Sequence, residues 1–178
     1  MTRPSPSPPL PHHKDITRKL KQLITAATTT LLLASGAAFA QVPQYGANVN
    51  LEQARKVLAG AIAEARKMNI PMAVAIVDTA GQLVAFDRMD NTQTASVAVA
   101  QDKAVSAAMF RRPTKVFQDV LAAGGVGLRV LTLRGANAVE GGVPITVDGK
   151  IIGAVGVSGG SAEQDGVVAK FGTDALAK

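Results

Sequence analysis

The stretch Val143-Pro144-Ile145-Thr146-Val147, Asp148-Gly149, Lys150 to Val157 constrains the fold more than any other part of the chain. Two apolar runs of strand length are joined by Asp-Gly, a dipeptide that supplies the positive φ a type I′ turn needs at both central residues, so an antiparallel hairpin is predicted. Pro144 has no N–H to give a ladder, which places it near the start or at the edge of its strand. A second hairpin is predicted upstream. Met72 to Val77 is continuously apolar, Asp78-Thr79-Ala80-Gly81 has turn chemistry, and Leu83 to Phe86 returns. Strands that read apolar on both faces need cover on both, so helices are expected on each side of the sheet.

The helices are legible from their spacing. Ala54, Val57, Leu58, Ala61, Ile62 and Ala65 recur at three and four, which predicts an amphipathic helix from Leu51 to Met68. Asn50 is its expected cap, with Gln53 reaching back, and Pro71 ends it. Thr94 to Phe110 reads as a helix rich in Ala and Ser, whose small side chains predict close packing on its own sheet or on a second subunit. Arg112-Pro113-Thr114 stops that helix, and Thr114 is expected to cap a short one from Lys115 to Ala122. Arg129 to Leu133 reads as a fifth strand or an irregular connection. Ser161, with Gln164 three later, is the expected cap of a last helix. The order argues an α+β fold with a sheet of about five antiparallel strands.

Residues 1–40 look different. Residues 1–22 are Pro-rich and basic; Leu23 to Ala34 is a short apolar and Thr/Ala stretch, followed by Ala38-Phe39-Ala40. A basic lead, a short apolar core and an A-x-A ending predict a secretory signal peptide over 1–40 with cleavage after Ala40. This implies a periplasmic or secreted protein with no stable membrane anchor. Residues 41–49 read as a tether and 50–178 as the folded domain. The leader carries five basic residues and one acidic, so the whole-chain charge of +6 falls to +2 over 41–178. A nucleic-acid reading of the high pI therefore has no support. Both histidines, His12 and His13, lie in the leader, and the chain has no Cys. Residues 41–178 thus hold no imidazole or thiol for nucleophilic catalysis, zinc or His-ligated haem.

Two clusters could carry chemistry. Val155-Gly156-Val157-Ser158-Gly159-Gly160-Ser161 runs from a strand through a Gly-rich turn to a helix start, a place where backbone N–H groups suit a carboxylate or phosphate oxygen. The same residues also make a plain tight turn with a capped helix. The second cluster is Lys103, inside the small-residue helix, with Arg111 and Arg112 at its end. Cations at a helix C-terminus favour its dipole, which accounts for the arginines. A lysine in so apolar a helix must snorkel or pair with a carboxylate. No spacing among Asp78, Asp87, Asp90, Asp102, Glu140, Asp148, Glu163 and Asp165 marks an acid–base pair, and no catalytic or metal-ligand set is assigned.

These features together resemble the GlcG/HbpS-like family, the haem-binding or haem-degrading domain, over residues 47–177. The resemblance rests on Ala73 to Asp78 with Gly81, on Lys103-Ala104 and Arg112-Pro113-Thr114, and most on Gly141-Gly142-Val143-Pro144-Ile145 with Asp148-Gly149, Ile152 to Gly160 and Gln164-Asp165. It implies a profilin-like three-layer α/β/α domain that forms a homo-oligomer. It also implies haem as cofactor, held by propionate–cation contacts and apolar packing. Carried onto this sequence, the family pattern points to Lys103, Arg111, Arg112 and Thr114, facing Gly142 and the turn Ser158, Gly159 and Gly160. Where relatives use histidine on iron, residues 41–178 have none, leaving Met, Tyr45, Lys103, a Thr hydroxyl or water. The competing reading is a small organic-acid-binding protein or enzyme that seats the ligand carboxylate on the Gly-rich turn. A third is a structural or signalling oligomer.

Overall fold

The structure is a computed structural model, and it describes residues 42–176. The signal peptide expected over residues 1–40 and its expected cleavage site lie outside the described residues. The elements are α1 (Leu51–Lys67), β1 (Ala73–Asp78), β2 (Leu83–Arg88), α2 (Ser96–Phe110), α3 (Lys115–Ala122), a 3-10 helix (Gly125–Thr132), β3 (Gly142–Val147), β4 (Lys150–Ser158) and α4 (Ala162–Leu176). Both predicted hairpins form, and they join through β1 and β4 into an antiparallel sheet ordered β2-β1-β4-β3. Asp148 (φ 50°) and Gly149 (φ 72°) make the turn that the sequence required.

The sheet has four strands rather than five. Arg129 to Leu133 falls largely in the 3-10 helix, of which Val130 alone is buried while Val126, Leu128 and Leu131 face outward. A strand needs a partner edge for its backbone, whereas this segment follows Gly124 and Gly125, both at positive φ, and closes its hydrogen bonds locally. The tether expected over 41–49 is pinned along its described part. Gly46 N–H donates to Ile151 O and Val49 N–H to Ile152 O, each at 2.7 Å, and Ile151 N–H donates to Gln44 O. The segment continues along β4 where β1 has ended.

Alternate strand residues feed two cores. Val74, Ile76, Ile145, Val155 and Val157 pack with Val57, Leu58 and Ala61 of α1 and Val168 and Ala169 of α4. On the other face Ala73, Ala75, Val77 and Ala154 meet Ala100, Ala104, Ala107 and Ala108 of α2. The small residues of α2 therefore serve its own sheet, and they bring the helix close enough that a Cβ on Gly156 would run into Ala100 O and Ala104 N. Capping boxes form at both predicted starts, Asn50 with Gln53 on α1 and Ser161 with Gln164 at α4. Thr114 does not cap α3 through its side chain. Its hydroxyl is engaged elsewhere, as follows.

Candidate functional site

The small-residue helix α2 carries one long polar side chain inward. Lys103 is 1% exposed. Its Nζ donates to Val157 O at 3.0 Å and lies 2.7 Å from Asp165 Oδ2, in the first turn of α4. Gly141 and Gly142 leave room for this reach. A Cβ on Gly141 would crowd Lys103 Nζ, Asp165 Cβ and Val157 O, and one on Gly142 would strike Lys103 O and the Thr114 methyl. Thr114 closes the same corner, its N–H donating to Gly142 O at 3.0 Å and its Oγ1 accepting from Gly142 N–H at 2.9 Å.

The Gly-rich turn already holds a carboxylate, its own. Gly160 N–H donates to Asp165 Oδ1 at 2.9 Å, and Ser161 N–H donates to Gln164 Oε1 at 2.9 Å. Burial pushes the Asp165 carboxyl above the usual carboxylate range, against the hydrogen bond and charge of Lys103 and the N–H groups of Gly160 and Gly159. Ser158 is buried and its hydroxyl donates to Ser96 Oγ at 3.1 Å. Among the described residues every buried side-chain polar atom has a hydrogen-bond partner.

The structure thus brings together Lys103, Thr114, Gly142 and the Ser158–Gly160 turn, and adds Asp165. It does not bring Arg111 and Arg112 into that corner. Arg111, left-handed at φ 55°, ends α2 and sets its guanidinium over the Tyr45 ring at 5.4 Å. Tyr45 Oη in turn donates to Ala108 O (2.9 Å) and Met109 O (3.1 Å). Arg112 lies 5.8 Å from the Phe117 ring of α3, which meets Phe110 edge-on at 5.1 Å. The predicted site residues therefore divide into an internal polar knot and an outward pair of cations on aromatic rings.

Sequence reasoning named Asp165 and Tyr45 but did not pair Asp165 with Lys103 or set Tyr45 beside Arg111. Asp165 was one carboxylate among eight, although an acid in the first turn after Gly159-Gly160-Ser161 has backbone donors to meet. Tyr45 is the chain's one tyrosine and sat in a presumed tether. Surface clefts of about 280 Å³ beside Asp102 and Asn137, 360 Å³ beside Asn48 and Lys150, and 340 Å³ beside Lys67 and Phe171 are lined by no residue of either group. They are open and at the small end of the ~300–1,000 Å³ that ligand pockets span, so none of these three can enclose a porphyrin. Among the described residues there is no cluster of three or more His, Cys, Asp or Glu that could hold a metal ion. Nor is any helix there long and apolar enough to cross a membrane.

The family described as haem degrading protein HbpS-like matches residues 49–174. The chain belongs to that family. It is 39% identical to protein GlcG of Escherichia coli K12 over 107 residues, 60% of this chain and 78% of the relative. Its fold is similar to the crystal structure of a PduOC–haem complex, with TM-score 0.65 and 28% identity over 72% of this chain and 94% of that one. It is equally similar to a double mutant of HbpS from Streptomyces reticuli, with TM-score 0.66 and 27% identity over 78% and 93%. The HbpS-like match takes in every predicted site residue, from Lys103 to Gly160.

Proposed function

We propose that this HbpS-like protein binds haem at the C-terminal end of α2, outside the fold rather than in an enclosed pocket. The observation that carries the reading is the pair Arg111 and Arg112. Each guanidinium rests near an aromatic ring, and among the described residues neither has a carboxylate partner. Two neighbouring cations beside apolar surface fit a flat apolar ligand with two carboxylates, because charge-assisted bonds hold the propionates while ring and methyl contacts hold the macrocycle. Met109 (56% exposed) and Val116 (39%) supply apolar surface on either side of the arginines in sequence. Bound haem would contribute an iron centre, and the chain contributes cations, aromatic faces and an oxygen or sulfur ligand.

The propionates are assigned to Arg111 and Arg112 and not to Lys103, whose ammonium a propionate could reach only by displacing Asp165. The same geometry weighs against the small organic-acid reading, since Asp165 and Gln164 occupy the turn's donors. Haem-containing and HbpS structures among the similar folds support the haem reading. Export through residues 1–40, a profilin-like layering of helices on both sheet faces and assembly into a homo-oligomer complete the proposal.

A haemin titration with serum albumin as competitor tests it, comparing wild type with Arg111→Ala/Arg112→Ala. A saturable one-site Soret change in wild type, weakened at least tenfold in the double variant, is expected. Linear uptake that ignores the substitutions overturns the reading. Cell fractionation with N-terminal sequencing tests export, and light scattering after size exclusion tests assembly.

A further inference from the structure

We infer that Tyr45 is the side chain that ligates the iron, an inference that rests on the haem reading above. Residues 41–178 contain no His and no Cys, so an iron ligand must be an oxygen or sulfur donor, or an amine. Burial removes the donors in and beside the polar knot. Lys103 is sealed and bonded to Asp165 and Val157; Thr114 is 0% exposed with its hydroxyl on the Gly142 N–H; Met72 is 0% exposed. Tyr45 is 42% exposed, and it stands beside Arg111, one of the two cations assigned to the propionates.

Its backbone is held for the task. Hydrogen bonds from Gly46 N–H to Ile151 O and from Ile151 N–H to Gln44 O fix the chain on both sides, and Tyr45 bridges to Ile151 itself. A ligand on a pinned segment loses less freedom on binding than one on a free tether. The phenol donates to Ala108 O and Met109 O, two carbonyls of the last turn of α2. Met109 O is among the carbonyls a helix end leaves for solvent, so releasing the phenol leaves an acceptor that water can satisfy. Tyr45 would hold the iron through its phenolate oxygen, the phenolic proton passing to solvent. The neighbouring Met109 thioether is exposed as well, but ferric iron is a hard centre and favours the anionic oxygen.

The test is ferric haem titrated into residues 41–178, a compact unit free of His12 and His13, and into its Tyr45→Phe, Met109→Leu and Tyr45→His variants, read by resonance Raman and electron paramagnetic resonance. Circular dichroism melts monitor the fold. Wild type and Met109→Leu are expected to show phenolate–iron bands, and Tyr45→Phe to lose them while binding at least tenfold more weakly. Should Tyr45→Phe be poorly folded, Tyr45→His still decides: an imidazole at this position converts the spectrum to a His-ligated one if residue 45 reaches the iron. Saturable binding with spectra indifferent to both changes at Tyr45 overturns the assignment and leaves the haem reading standing. No saturable binding by wild type overturns both.

Discussion

Lys103 Nζ and Asp165 Oδ2, 2.7 Å apart, tie the helix on one face of the sheet to the helix on the other. The link passes the end of the sheet at Gly141 and Gly142, where the absence of side chains lets an ammonium through. Removing one partner strands a buried charge, a loss of about 3–5 kcal/mol in such pairs. Lys103→Met is expected to lose stability on that scale in urea melts. Lys103→Met/Asp165→Asn should recover more than half, because the Asn oxygen still accepts from Gly160 N–H and no full charge remains. A double variant as weak as the single would show that the pair's charges themselves hold the fold.

The raised Asp165 carboxyl sets a pH dependence with a definite sign. A folded-state value above the unfolded one means the native protein binds the proton more tightly. That contribution is fully present below the ordinary carboxylate value of 3.8 and is lost as pH rises through the raised folded value. The stability difference between wild type and Asp165→Asn should therefore shrink as pH rises from about 4 through the carboxylate's raised range. Denaturant midpoints at half-unit pH steps measure it, and a difference that grows with pH would contradict the assignment.

At Gly156 α2 lies close enough to β4 that a Cβ would meet its backbone. A methyl group there must push Ala100 and Ala104 away, and overpacking of this kind costs about 1–3 kcal/mol. Gly156→Ala should lower the melting temperature and raise amide exchange along α2 while leaving α1 and α4 protected. Unchanged exchange in α2 would mean that the helix tolerates the methyl.

Thr114 joins α3 to the start of β3 by a hydrogen bond in each direction. Thr114→Val keeps the shape but leaves the Gly142 N–H unpaired in a buried site, at about 1–3 kcal/mol. Thr114→Ser keeps the acceptor and should lie within about 1 kcal/mol of wild type, the scale of the lost methyl. Thermal melts of the two variants separate the hydroxyl's role from the side chain's bulk.

Much of this was legible because it is local. Asp148-Gly149 announced its turn, Asn50 and Gln53 their box, and the alanines of α2 their close approach, since each depends on residues a few positions apart. The 3-10 helix was ambiguous because Arg129 to Leu133 has apolar side chains without a period, and only the absence of a free sheet partner decides against a strand. The lysine's need for a carboxylate could be read, but not which of eight acids meets it, because Lys103 and Asp165 lie 62 positions apart and meet only through the sheet. The contacts of Tyr45 were hidden for the same reason, lying 63 and 64 positions away.

Asp165 also makes this corner a candidate for chemical rescue. The side chain seats one oxygen on a backbone N–H and the other on an ammonium, the geometry with which a free acid would be received. Truncating it to glycine would leave a vacancy the size of formate or acetate, lined by the Gly160 N–H and by a Lys103 ammonium that keeps only Val157 O as acceptor. Millimolar formate should then restore part of the lost melting temperature, turning an internal strut into a receptor by subtraction alone.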